Sequence, residues 1–138
     1  MGIRSAACWS HSGRPKWEGT CRWATIHELS YLPESFGALT VGGDLRLNHN
    51  QLSYLPESFG LLTVGGFLRL NRNQLSCLPE SFGSLTVGGG LSLDYNQLSC
   101  LPKSFECLKV NGDMWLHDNQ FNCPLPKSLP NVNGDIWA

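Results

Sequence analysis

The chain has 138 residues, 41% of them hydrophobic and 15% charged, with a formal net charge of −1 at pH 7. That length and balance fit one soluble globular domain, and no basic stripe is available to follow a nucleic-acid backbone, so nucleic acid is not an expected partner. No segment approaches the ~20 apolar residues of a membrane span, and the opening MGIRSAACWSHSGRPKW has no apolar signal-peptide core.

These absences set the expected location as intracellular, cytoplasmic by default, with the six cysteines reduced. Gly2 invites an N-myristoylation reading, but Ala6 stands where that pattern needs Ser or Thr, and the reading is rejected.

Residues 1–28 form an irregular N-terminal segment carrying Trp9, Trp17 and Trp23, read either as a cap over the N-terminal end of the core or as a partly disordered lead-in. Within it, RWATIHE sets Arg22, Ala24 and His27 where the later pattern places Leu, Leu and Asn, which makes it a degenerate first unit. Cys8, His11, Cys21 and His27 have the side-chain types of a zinc site. Five residues separate Cys21 from His27, a loose spacing, so an irregular lead-in is favoured and no metal or other cofactor is expected.

From Leu29 to the end, residues 29–138, the chain repeats itself every 23 residues. Unit 1 (29–51) reads LSYLPESFGALTVGGDLRLNHNQ, and unit 2 (52–74) differs from it only at Ala38/Leu61, Asp44/Phe67 and His49/Arg72. Unit 3 (75–97) is LSCLPESFGSLTVGGGLSLDYNQ, unit 4 (98–120) drifts further, and a truncated last unit comes after it.

Each unit has a Leu-Pro at its fourth and fifth positions, and its proline (Pro33, Pro56, Pro79, Pro102) cannot donate to a ladder and belongs on a returning, non-strand side. A Phe (Phe36, Phe59, Phe82, Phe105) and then a Leu or Val feed the interior. Gly-Gly pairs (Gly42–Gly43, Gly65–Gly66, Gly88–Gly89) read as a tight entry turn needing unusual backbone angles or close packing. The alternation Leu45-Arg46-Leu47 then predicts a short strand with one buried side, as do Leu68 with Leu70, Leu91 with Leu93, and Met114 with Leu116.

After each strand comes Asn50, Asn73, Asn96 or Asn119, a structural column whose amides can donate to one turn and accept from the next. One unit cannot bury its own apolar stripe, but units stacked at ~4.8 Å join their stripes into one core. The last segment, FNCPLPKSLPNVNGDIWA, has an extra residue near Pro124, a shortened turn, and a strand at Ile136 and Trp137 whose apolar edge is open to self-association, with oligomeric state undetermined.

The pattern L-x-L-x-x-N-x-L followed by L-P-x-x-F resembles the leucine-rich-repeat family, especially its intracellular plant, protist and bacterial-effector members, over about Leu29 to Phe121. The resemblance implies an α/β leucine-rich-repeat solenoid: a short, curved, right-handed stack with a parallel β-sheet on the concave face and turns or short helical segments on the convex side. One departure is that Gly42, Gly65, Gly88 and Asn111 stand where the family has its first Leu, and Val41, Val64, Val87 and Val110, one residue earlier, are expected to fill the missing core volume.

The resemblance also implies binding of a protein partner through the residues that flank the strand leucines. These are Asp44, Arg46, Asn48 and His49 in unit 1; Phe67, Arg69, Asn71 and Arg72 in unit 2; Ser92, Asp94 and Tyr95, beside Gly90, in unit 3; and Asp113, Trp115, His117 and Asp118 in unit 4. Two of the three differences between units 1 and 2 fall on these positions, although exposed positions free to drift would give the same pattern. Arginines early in the stack and aspartates late in it, through Asp135, make a polarised strip that could orient a charged partner.

No nucleophile–base pair, phosphate loop or carboxylate pair stands out, and the serine column (Ser35, Ser58, Ser81, Ser104) reads as turn chemistry. A non-catalytic interaction module is therefore expected rather than an enzyme, and the family resemblance implies a signalling setting for it. The alternative is a substrate-recognition fragment of a larger kinase or ubiquitin ligase. A third reading, a surface scaffold using the row Thr40, Thr63, Thr86, is weakened by Lys109. Cys77, Cys100 and Cys123 lie in one column, so neighbouring thiols could approach within the ~4.4–6.8 Å of a disulfide and the redox state of the column is left open, but Tyr31 and Tyr54 share the column, which favours semi-buried filler ahead of a redox role.

Overall fold

The computed structural model describes residues 16–17, 21–22, 29–125 and 129–138, the first two pairs by backbone alone. Each unit crosses two parallel sheets and returns through a 3-10 turn. The first sheet joins β1 (Lys16–Trp17), β3 (Thr40–Val41), β5 (Thr63–Val64), β7 (Thr86–Val87) and β9 (Lys109–Val110) in that order. The second joins β2 (Cys21–Arg22), β4 (Leu45–Arg46), β6 (Leu68–Arg69), β8 (Leu91–Ser92), β10 (Met114–Trp115) and β11 (Ile136–Trp137).

The sequence pointed to one sheet per stack, and the second is a finding. Thr-Val is too short to show an alternation of its own, yet Thr40 is exposed and Val41 buried, as a half-buried strand requires. Val41, Val64, Val87 and Val110 are each 1% exposed, so valine does fill the volume left by the missing leucine.

Between units the 3-10 turns Glu34–Ala38, Glu57–Leu61, Glu80–Ser84 and Lys103–Cys107 each begin after a proline in extended backbone. Each closes with a leucine N–H donating to the phenylalanine carbonyl, as Leu62 N–H does to Phe59. The four phenylalanines are buried, and their rings stack in a column with centroids 6.1 Å apart at each step and planes within 5° of parallel.

Beside that column, Ser58, Ser81 and Ser104 donate their hydroxyls to the carbonyls of Glu34, Glu57 and Glu80 in the preceding unit. The serines therefore tie neighbouring units together, in addition to their place in the turn. Gly37, Gly60 and Gly83 face the same contact, where a Cβ would sit 2.0, 1.9 and 1.8 Å from the next unit's serine carbonyl oxygen. Glu106 takes that position in unit 4, where the next segment no longer keeps to the repeat.

Close packing also explains the Gly-Gly pairs: a Cβ on Gly65 or Gly88 would lie 2.2 Å from the carbonyl oxygen of the equivalent glycine one unit earlier. The left-handed backbone lies elsewhere, at His49, Arg72, Tyr95 and Asp118, with φ between 54° and 58°. These four residues each precede an asparagine of the column.

That column works between units, though not in the direction the sequence suggested. The Asn73 amide donates to Leu70 O of its own unit (2.9 Å) and Leu47 O of the preceding one (3.0 Å), while its Oδ1 accepts from Leu52 N (3.1 Å). The bond to Leu47 O crosses to the preceding unit, and the bond from Leu52 N–H ties down the residue that opens Asn73's own unit. Asn96 repeats the arrangement and is also buried, whereas Asn119 repeats it half-buried.

At the ends the spacing changes. Cys21 pairs in register with Leu45 and Arg22 with Arg46, so the first strand is displaced by one residue from the alignment that set Arg22 opposite Leu45. Lys16 opposite Thr40 carries the same offset. At the other end Met114 pairs with Ile136 and Val110 with Val132, one residue short of the repeat. Among the described residues no helix is long and apolar enough to cross a membrane.

Candidate functional site

Two clusters form on the face of the six-stranded sheet that points away from the core, and both run across units 2, 3 and 4. Alternation along each strand decides the facing: Leu45, Leu68, Leu91 and Met114 are 0% exposed, and the next residue in each strand turns outward.

The first cluster depends on Gly90. A Cβ there would meet the Phe67 ring at 2.5 Å, so glycine leaves the space into which that ring lies. Phe67 thereby reaches across unit 3 to stack on Trp115, with centroids 5.5 Å apart, and the Arg69 guanidinium sits over the Phe67 ring at 4.9 Å. Phe67, Arg69, Ser92, Asp94 and Trp115 line a hollow of about 310 Å³. Its floor is polar: the Ser92 hydroxyl donates to the Asp94 carboxylate, and Asp94 is buried at 8% exposure.

The second cluster is built on the left-handed residues. Arg72 lies over the Tyr95 ring at 4.4 Å, Tyr95 meets His117 edge-on at 5.5 Å, and His117 Nδ1 is 2.6 Å from an Asp118 carboxylate oxygen. A positive φ lifts these side chains to the rim of the strand, clear of the core, and Tyr95 is 42% exposed there.

The structure gives other expected contact residues internal work. Asp44 accepts from the Phe67 backbone N–H at 2.9 Å and lies 3.6 Å from Arg46, while Asp113 accepts from Asp135 N–H at 2.8 Å. These two carboxylates bridge units where the column offers them. Asn48 and Asn71 are half-buried and outside both clusters, and His49 is exposed. Arg46 and Arg69 are direct register partners, and each has a buried Nε without a hydrogen-bond partner, as does Asn48 Oδ1.

Sequence reasoning named the lining of the hollow but missed what opens it. The signal was the run Gly88-Gly89-Gly90, one glycine longer than the pair in units 1 and 2. It also took the cysteine column for filler, whereas Cys100 and Cys123 are joined by a disulfide with alpha-carbons 5.6 Å apart, and Cys77 is an exposed free thiol. The expectation of reduced, semi-buried cysteines is corrected in part: Cys100 is half-buried but bonded, Cys77 is a free thiol but exposed, and Cys123 is both bonded and exposed. Of the zinc candidates, Cys8, His11 and His27 lie outside the described residues, as does the side chain of Cys21.

No protein-family model and no curated protein matches the chain. The chemistry of this face is therefore read from its own residues.

Proposed function

We propose that the chain is a non-catalytic recognition module of leucine-rich-repeat type, which binds a protein partner through the outer face of the six-stranded sheet in an intracellular signalling setting. The observation that carries this reading is the hollow walled by Phe67, Trp115 and Arg69, because a side chain is given up at position 90 to build it. Aromatic and arginine side chains gathered around a pocket are the composition of interface hot spots.

The spacing of the units supports reading that face as concave. Strands pair at ~4.8 Å, whereas the phenylalanine rings on the turn side are 6.1 Å apart at each step. A stack wider on one side than the other bends toward the narrow side. Parallel connections through a crossover favour a right-handed path.

Charge adds direction: Arg46, Arg69 and Arg72 lie in units 1 and 2, and Asp94, Asp113, Asp118 and Asp135 lie further along. A partner surface with acidic groups at one end and basic groups at the other would dock in one orientation.

The test is affinity capture from cell extract with the purified chain as bait, beside a variant carrying Arg69→Ala and Trp115→Ala. A protein retained by the wild type and lost from the folded double variant identifies the partner and supports the assignment. Equal retention by both overturns it. Asn73→Leu serves as the contrasting control, because it leaves Leu52 N–H unpaired at about 1–3 kcal/mol, takes one of two asparagine donors from Leu47 O and from Leu70 O, and should damage the fold first.

A further inference from the structure

The column of Cys77, Cys100 and Cys123 holds three cysteines and one bond. Positions in one column differ by a single step of the stack, and the step is regular: the phenylalanine rings repeat at 6.1 Å from unit 1 through unit 4. Cys100 and Cys123 have alpha-carbons 5.6 Å apart, and Cys77 lies one regular step of the stack before Cys100. The Cys100–Cys123 separation, and a Cys77–Cys100 separation equal to the 6.1 Å step between the phenylalanine rings of units 3 and 4, both fall within the ~4.4–6.8 Å that a disulfide spans. The outer two cysteines are exposed and the middle one is half-buried, so the shared partner is also the shielded one.

We propose that these cysteines form a two-position disulfide, in which Cys77 displaces Cys123 from Cys100 and the covalent clamp moves one unit along the stack. The Cys77 thiolate attacks Cys100 Sγ, the Cys77–Cys100 bond forms as the Cys100–Cys123 bond breaks, and Cys123 leaves as a thiolate that takes up the proton lost by Cys77. One disulfide and one thiol are present before and after, so no outside oxidant or reductant enters. Exchange at sulfur needs the attacking and leaving sulfurs on opposite sides of the central one. A column along the stack axis supplies that order, because units 3 and 5 flank unit 4.

Asn122 Oδ1 lies 3.4 Å from both Cys100 Sγ and Cys123 Sγ, so whichever sulfur carries a proton has an acceptor within reach, and after the exchange that sulfur is Cys123. The exchange changes what is tied down. With Cys100 bonded to Cys123 the last segment is clamped to unit 4. With Cys77 bonded to Cys100 that segment keeps the strand contacts by which Met114 and Leu116 N–H donate to Asp135 and Trp137 carbonyls, but has lost its covalent tie.

Tryptic peptides separate the two forms. Cleavage after Arg72, Lys103, Lys109 and Lys127 puts Cys77 and Cys100 in one peptide, 73–103, and Cys123 in another, 110–127. The full chain is equilibrated in a glutathione redox buffer, quenched with acid, alkylated and digested without reduction. Mass spectrometry then reads a cross-linked pair of peptides for one form and an internally bridged 73–103 for the other.

Both positions meet the span of a disulfide, so the forms are expected within about tenfold of one another. Cys123→Ser should place the whole disulfide between Cys77 and Cys100, Cys77→Ser should leave only the cross-link, and amide exchange at Met114 and Leu116 should be faster in Cys123→Ser than in Cys77→Ser. Folding of each variant is checked by circular dichroism. The proposal is overturned if folded wild type yields the cross-link alone with Cys77 alkylated, or if Cys123→Ser remains a free thiol in a buffer that oxidises the wild type. It is equally overturned if the internal bridge appears only in urea.

Discussion

The turn side of the stack and the outer face of the six-stranded sheet are built from the same four units, yet they treat repetition in opposite ways. On the turn side Phe36, Phe59, Phe82 and Phe105 superimpose rung on rung, and three serines make the same bond to the unit before. On the sheet face Asp44, Phe67, Gly90 and Asp113 share one column and perform different tasks: two bridge units, one fills space and one provides it. Sameness on one side fixes the scaffold, and difference on the other makes the site.

Exposure alone does not explain that contrast. Ala38, Leu61, Ser84 and Cys107 also vary from unit to unit, on the turn side, and all are exposed, with Leu61 at 73%. The variable sheet-face residues are mostly half-buried and touch one another. Variation at an exposed tip reflects an absence of packing, whereas variation among Phe67, Gly90 and Trp115 is mutually fitted.

The contrast can be broken most severely from the turn side. Phe82→Ala removes the rung held between Phe59 and Phe105 at 0% exposure and should destabilise by about 3–5 kcal/mol, read as a lowered urea midpoint. Gly60→Ala comes next, because its new methyl would meet the Ser81 carbonyl; a loss of about 1–3 kcal/mol is expected, against about 0.5 kcal/mol or less for Leu61→Ala beside it.

Gly90→Ala sharpens the comparison from the sheet face. Its methyl meets the outer atoms of the Phe67 ring, which can swing aside, so stability should fall by about 1 kcal/mol or less while partner capture is lost. Similar capture by Gly90→Ala and wild type would separate the hollow from binding. The smallest effect is a gain: Asp118 sits at φ 54°, and Asp118→Gly should raise stability by up to ~1 kcal/mol, since relief of left-handed strain outweighs glycine's added chain entropy. Thermal melting of the two chains side by side reads the sign.

Much of this plan is legible in the residues. Leu45 with Leu47, and their counterparts, announce a strand with one buried side, and the asparagine column announces buried turns. The first sheet was not legible because a two-residue Thr-Val strand is shorter than any alternation that would reveal it. The left-handed column was hidden because His49, Arg72, Tyr95 and Asp118 have no chemistry in common and none of them is a glycine. The hollow was hidden because it depends on a side chain in unit 2 finding a gap in unit 3 and a partner in unit 4, which no reading within one unit contains.

Gly90 also bears on how the chain assembles. Units 1 and 2 differ at three positions, so a segment docking one unit out of step would meet almost the same leucines, valines and serine bonds as in the native order. Repetition of that kind leaves the correct pairing with little advantage over its neighbours. Phe67 breaks the tie: shifted by one unit, its ring would face the place of Asp44 or Asp113 in the shared column, where no glycine makes room. The gap that opens the hollow is thus also a key that admits one alignment of the copies, and filling it is expected to slow folding as well as to weaken binding.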